Sequence, residues 1–358
     1  MKIGISTGGG DAPGLNAAIR AVTLSGIERG WEVAGIHRGF NGLLETPRHL
    51  IPLDRAAVRG IGHQGGTILG TTNRGNPFKW APGSDGSERD RSDELIAAAR
   101  EAGLDALVLV GGDGTMRIAH DLYRNGLAVV GIPKTIDNDL YGTAATIGFD
   151  TAVGIATEAL DRIHSTAESH DRVMVLEVMG RYAGWIALHA GIAGGADAIL
   201  IPEIPFDLEA AAGKIRQRER MGRKFSIVVV AEGAKPREGG LVLREEKHAG
   251  RAERLGGVGE QIADELERLT GRETRSLALG HLQRGGSPTM FDRLMATRFG
   301  AAAVRAVERH EFGTMVAYRP PAIVPIPLGD VVGVTHNVPL DGDTIATARD
   351  LGICVGDG

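Results

Sequence analysis

Short runs of aliphatic and β-branched residues recur along the chain at Ile3–Ser6, Val33–Ile36, Ala106–Val110, Ala128–Ile132, Val173–Val178, Ile199–Ile201, Ser226–Ala231 and Leu277–Leu279. Their length and composition predict strands. Between several of them the apolar positions return at helical spacing. One helix is predicted from Ser92, with Asp93 and Glu94 in its first turn, to Gly103. A second is predicted over Asp207–Gly222, and a third from about Val258 to Gly271 with Ile262, Leu266 and Leu269 on one face. Strands rich in Val, Ile and Leu that alternate with helices imply an α/β fold of mostly parallel sheets covered on both faces. Ligands of such sheets bind beyond the carboxyl ends of the strands. The stretches Arg74–Arg91 and Ala234–Gly257 are rich in Gly and charge, break the pattern, and are expected to be surface excursions.

A length of 358 residues is more than one core usually organises, so two doubly wound domains are expected. Aromatics make up 4% of the chain against 53 glycines, which implies aliphatic cores and many close backbone approaches. A net charge of −5 gives no reason to expect nucleic acid or a membrane surface as a partner. No run approaches the ~18 apolar residues of a membrane span. The single cysteine, Cys354, excludes an intrachain disulfide and fits a reducing compartment. Met1-Lys2-Ile3 leads directly into a strand with no leader pattern, so a cytoplasmic location is expected.

Three loops after apolar runs carry candidate chemistry. In Thr7-Gly8-Gly9-Gly10-Asp11-Ala12-Pro13-Gly14, consecutive glycines would let backbone N–H groups reach a phosphate at a helix start near Asn16. Leu15 and Asn16 stand where a P-loop needs Lys and Ser/Thr, and Pro13 stands where a dinucleotide fingerprint needs Gly. Taken alone, the loop fits a structural turn as well as a phosphate cradle. In Gly111-Gly112-Asp113-Gly114-Thr115 one carboxylate sits among backbone donors, which suits a nucleotide phosphate whose Mg²⁺ takes a single acid. In Pro133-Lys134-Thr135-Ile136-Asp137-Asn138-Asp139, two acids two residues apart can divide roles, one deprotonating a hydroxyl. Cations gather at strand ends too: Arg172, then Arg181 in Met179-Gly180-Arg181, then Arg275, then Arg284 in His281-Leu282-Gln283-Arg284. In an acidic protein, arginines flanking glycines at such positions suggest an anionic substrate.

The stretches GGGDAPGLNAAIR, GGDGT, PKTIDND, VMVLEVMGRYAG, GRETR and LGHLQRGGSP occur in order, and with them the chain resembles the phosphofructokinase family from about Lys2 to Gly313. The resemblance implies ATP- and Mg²⁺-dependent transfer of a phosphoryl group to the 1-hydroxyl of fructose 6-phosphate, a step of glycolysis. It implies donor contacts at Gly10, Arg74, Gly112, Gly114 and Thr115, with Asp113 as the Mg²⁺ ligand. It implies sugar-phosphate contacts at Thr135, Ile136, Asp137, Met179, Gly180, Arg181, Glu232, His281, Leu282, Gln283 and Arg284. Asp137 corresponds to the base, and Thr135 and Arg181 join it as catalytic residues. Arg172 and Arg275 correspond to arginines that reach across from a neighbouring subunit, so a homo-oligomer (tetramer or dimer) is implied. The implied domains are 1–147 plus 282–332 for the nucleotide, and 148–281 plus 333–358 for the sugar phosphate.

Donor choice turns on two positions. Relatives that use pyrophosphate carry Asp where this chain has Gly114 and Lys where it has Lys134, so the chain resembles a mixed-donor branch. An Asp at 114 would repel the α-phosphate of ATP, and like-charge juxtaposition costs several kcal/mol. Glycine leaves that space open, which favours ATP. Pyrophosphate is the alternative donor. Leu24 and His164 stand where allosteric relatives carry basic residues, although Arg20 and Lys224 are retained, so the usual bacterial effectors are expected to act weakly. An NAD- or lipid-type kinase shares a GGDG loop but has no use for the acid pair at 137 and 139. The Gly4-Ile5-Ser6-Thr7-Gly8 match to a hydrolase elbow falls on the first strand, out of place for that chemistry.

Overall fold

The computed structural model describes residues 1–73, 75–80, 88–237 and 257–357. Eleven strands form among them. In chain order they are β1 (Lys2–Thr7), β2 (Glu32–Ile36), β3 (Leu50–Pro52), β4 (Ala106–Gly111), β5 (Val129–Pro133) and β6 (Val173–Val178). They continue with β7 (Ala198–Leu200), β8 (Ser226–Ala231), β9 (Thr274–Ala278), β10 (Thr314–Arg319) and β11 (Ala322–Pro327). The chain divides into two compact units, one of Met1–Ile136, Leu140–Asp150 and Arg284–Val334, the other of Asp137–Asp139, Thr151–Gln283 and Thr335–Gly358.

The first unit holds a seven-stranded sheet in the order β11-β10-β5-β4-β1-β2-β3. Pairing is parallel from β10 to β2 and antiparallel only at the two edges. Alternate strand residues serve opposite faces. Ile3, Ile5, Val108 and Val110 pack with the helices Leu15–Ile27 and Met290–Glu308, whose Phe299 is fully buried. Leu107 and Leu109 pack the other way, with Leu95 and Met116 from the helices Ser92–Glu101 and Asp113–Arg124. Each such side chain contributes about 1.5–3 kcal/mol by leaving water. The strand order reverses between β1 and β4, the position where open α/β sheets bind ligands.

The second unit holds a four-stranded, all-parallel sheet, β7-β8-β6-β9. Val173, Val175, Val228 and Val230 form its core with Ile262 and Leu266 of the helix Val258–Thr270. The helix Leu208–Arg220 starts where its sequence says it should: the Asp207 side chain accepts the Glu209 N–H at 2.9 Å.

Three expectations shift. β9 starts at Thr274 rather than Leu277, because as an edge strand with Arg275–Ala278 exposed it needs no apolar run. β7 lies one residue before the expected 199–201. β10 and the edge strands β3 and β11 have no counterpart among the expected runs: β3 has three residues, and β11 contains Pro325 and Pro327, which an edge tolerates. Among the described residues no helix is long and apolar enough to cross a membrane.

Candidate active site

At the switch point of the first unit, the glycine loop after β1 meets the loop after β4. The Gly8 N–H donates to Val110 O at 2.9 Å, and the Lys134 N–H to Gly111 O at 2.9 Å, which ties the ends of β1, β4 and β5 together. Gly111 is still strand and Gly112 is the N-cap, so Asp113 opens the helix Asp113–Arg124. Side chains at 8 and 111 are forbidden by Thr115, whose Oγ1 would lie 2.8 Å and 2.2 Å from a Cβ at those positions. The result is a cavity of about 360 Å³ lined by Gly8–Gly10, Gly112, Gly114, Thr115, Lys134, Thr135 and Arg284, among others.

Two cations address the carbonyl side of the glycine loop. Lys134, only 3% exposed, donates from Nζ to Gly8 O at 2.9 Å and to Gly10 O. Arg284 donates from Nη1 to Asp11 O at 3.1 Å, and a Cβ on Gly10 would stand 2.9 Å from that nitrogen. Lys134 and Arg284 line the cavity together with Gly112 and Gly114 at the N-terminus of the helix Asp113–Arg124, and this concentration of positive potential attracts anions. Asp113 is not among the cavity-lining residues. Its carboxylate meets Arg117 at 3.5 Å and the Gly333 N–H at 3.4 Å, both long contacts, and is 44% exposed.

In the second unit, the carboxyl ends of the adjacent strands β6, β8 and β9 bring another group together. Glu232 N–H donates to Val178 O at 2.8 Å, Gly233 N–H to Gly180 O at 3.1 Å, and Leu279 N–H to Glu177 O at 3.0 Å. Met179, Gly180, Arg181, Glu232 and the exposed His281 and Leu282 thus lie at one end of one sheet. Gln283 is fully buried. Its Oε1 accepts from Met179 N at 3.3 Å and its Nε2 donates to Gly280 O at 3.2 Å, so its amide holds two loops together. Arg172 and Arg275 lie at the opposite end of that sheet, both on Glu273 at 2.8 Å and 2.5 Å. The Arg172 guanidinium paired with it is the main cause that holds the Glu273 carboxyl below its usual range.

The phosphofructokinase family model matches residues 2–307. The chain belongs to the phosphofructokinase family. The ATP-dependent 6-phosphofructokinase of Chloroflexus aggregans is 54% identical over 357 residues, 100% of this chain and 98% of the relative. The pyrophosphate–fructose 6-phosphate 1-phosphotransferase of Amycolatopsis methanolica is 51% identical, over 95% of this chain and 96% of the relative. Among solved structures, phosphofructokinase from Pichia pastoris in the T-state matches 98% of this chain with a TM-score of 0.79 at 34% identity. The chain spans 37% of that longer polypeptide. A pyrophosphate-dependent phosphofructokinase from Nitrosospira multiformis shares the fold at a TM-score of 0.81 and 20% identity.

Of the residues that the phosphofructokinase resemblance singles out, Gly10, Gly112, Gly114, Thr115, Lys134, Thr135 and Arg284 meet in the first unit's cavity. Ile136 is fully buried, and Thr135 is held at its carbonyl by Thr146 Oγ1 at 2.6 Å. Asp137 opens the short segment Asp137–Asp139 assigned to the second unit. Arg74 lies outside the described residues. Sequence reasoning passed over Asn73 and Asn76, which also line the cavity. Their only signal was a place in a Gly- and Asn-rich stretch after residue 70.

Proposed function

We infer that the chain is an ATP-dependent 6-phosphofructokinase, a phosphotransferase that acts on fructose 6-phosphate. The observation that carries this reading is the space at Gly114. The residue lines the cavity, and a Cβ built on it meets nothing within 4 Å. That is room for the α-phosphate of a nucleotide, beside the glycine loop that would take the β- and γ-phosphates. Full-length relatives named as ATP-dependent enzymes support the same donor.

Phosphoryl transfer is mostly positioning and charge neutralisation. In this reading Asp137 takes the proton of the sugar 1-hydroxyl, whose oxygen forms a bond to the γ-phosphorus as the bond to the β-bridging oxygen breaks and ADP leaves. Lys134 neutralises donor oxygens, while Arg181, Glu232, His281 and Arg284 hold the sugar phosphate. Mg²⁺, when bound, would be held by Asp113 and would offset the charge of the donor phosphates. Among the described residues no group of three or more His, Cys, Asp or Glu could enclose a metal. The half-exposed, loosely bonded Asp113 fits an ion that keeps its waters and takes one protein carboxylate plus phosphate.

Arg172 sits a strand's length, roughly 17–20 Å, from its own unit's ligand loops and Arg275 lies near the start of β9, which supports the reading that they serve a neighbouring subunit. The enzyme is then a homo-oligomer in the cytoplasm. Sedimentation is expected to give a dimer or tetramer, and a monomer with full activity would overturn that assignment.

Pyrophosphate is the second reading, favoured by the Lys134 ammonium inside the cavity. The deciding experiment is steady-state turnover of fructose 6-phosphate with ATP against pyrophosphate, at saturating Mg²⁺. ATP is expected to give the higher kcat/KM by at least about tenfold, which is only ~1.4 kcal/mol of discrimination. A preference for pyrophosphate would show that Lys134 outweighs Gly114.

A further inference from the structure

The segment that carries the proposed base is held by a residue that none of the family motifs contains. His336 lies after the last strand, in the stretch assigned to the second unit together with Asp137–Asp139. Its backbone N–H donates to Asp139 O at 2.9 Å, and its ring Nδ1 stands 2.9 Å from Asn138 O. A carbonyl oxygen can only accept, so Nδ1 carries the proton. Asn138, between the two acids, is 3% exposed and has φ 52, in the left-handed region that non-glycine residues seldom occupy.

His336 is itself anchored. The Trp185 indole N–H donates to His336 O at 2.8 Å, and the two rings pack 4.9 Å apart at an interplanar angle of 34°. Two residues on, the Val338 N–H donates to Glu203 Oε1 at 2.9 Å, and the same carboxylate accepts the Gly184 N–H at 3.1 Å. Trp185 and Gly184 immediately follow the candidate sugar-phosphate loop 179–183, so one anchor serves both stretches.

We propose that His336 is a positioning residue: it pins the carbonyls of Asn138 and Asp139, holds Asn138 in its left-handed turn, and so fixes the direction of the Asp137 carboxylate. The proposal rests on the reading of Asp137 as the base. Its logic is geometric, because a general base works only within hydrogen-bond reach of its proton, and a displacement of about 1 Å can cost up to about 10²-fold in rate.

Isosteres separate the ring hydrogen bond from the packing. His336→Phe keeps a ring against Trp185 and removes the donor. His336→Asn places an amide N–H where Nδ1 stood, whereas His336→Gln places it where Nε2 stood. Expected for His336→Phe is a kcat about tenfold lower with KM for ATP within about twofold, and faster amide hydrogen exchange over 137–139. Asn is expected to recover most of kcat and Gln not. Wild-type kcat in the Phe variant overturns the proposal, and so do equal losses in Asn and Gln that follow a common loss of Tm. If Phe does not fold, the Asn–Gln pair alone decides. If wild type fails to turn over fructose 6-phosphate with either donor, the functional reading falls, and hydrogen exchange still tests the clamp: unchanged exchange in His336→Phe and His336→Gln would reject it.

Discussion

Asp137→Asn is expected to lower kcat roughly 10²–10⁴-fold, the usual worth of a general base, with little change in KM for either substrate. Asparagine keeps the volume of aspartate and one acceptor oxygen, but it cannot accept the proton of the 1-hydroxyl. Binding is assigned to phosphate contacts that the substitution leaves in place. The loss then falls on the transition state alone, about 3–5 kcal/mol at 1.36 kcal/mol per decade. The neighbouring backbone bonds from His336 to Asn138 and Asp139 do not involve the Asp137 side chain, so Tm is expected to stay within a degree or two. Single-turnover and steady-state kinetics of the purified variant provide the measurement. Near-normal kcat would remove Asp137 from the role of base.

Gly114→Asp carries the second large effect. Position 114 is the second residue of the helix Asp113–Arg124, has no positive φ, and offers open space to a Cβ. An acid in the first turn of a helix is favoured by the helix dipole, by about 0.3–1 kcal/mol. The substitution is therefore expected to leave folding intact and to act only within the cavity. There a carboxylate would occupy the proposed α-phosphate position, and a like-charge clash of several kcal/mol corresponds to a loss of kcat/KM for ATP of about 10²-fold or more. The Lys134 ammonium lies in the same cavity, so the variant is also expected to gain on pyrophosphate relative to ATP. Kinetics with each donor at saturating fructose 6-phosphate and Mg²⁺ test both. Unchanged ATP kinetics would mean that residue 114 does not approach the nucleotide.

Much of the fold could be read from the chain because its buried parallel strands leave a strong local signature. β6 and β8 match their apolar runs end to end, since both faces of those strands are covered and all positions but Glu177 and Ser226 hold apolar residues. The edges gave no such signature. β9 exposes four of its five residues, and β11 buries only Ile326, which stands between two prolines, so neither reads as a buried run. The glycine loops were legible for a related reason: Thr115 closes on Gly8 and Gly111 so tightly that only hydrogen fits, and that demand is visible in the sequence itself. His336 was not legible. Its partners, Asn138 and Trp185, stand 198 and 151 residues away, and no spacing rule connects a lone histidine in a polar tail to them. Gln283 is a ligand contact by resemblance, and that its buried amide also bonds two backbone groups is a role no local spacing announces.

The position of Arg172 and Arg275 at the far end of the second sheet has a consequence for mixtures of subunits. If those arginines complete a neighbour's site, every active site is a composite of two chains, and the base and the borrowed cations are inherited separately. A subunit crippled by Asp137→Asn still lends intact arginines, and one crippled at Arg172 and Arg275 still owns an intact base. Two inactive variants, co-expressed and assembled together, would then restore some working sites, a complementation that neither parent shows alone.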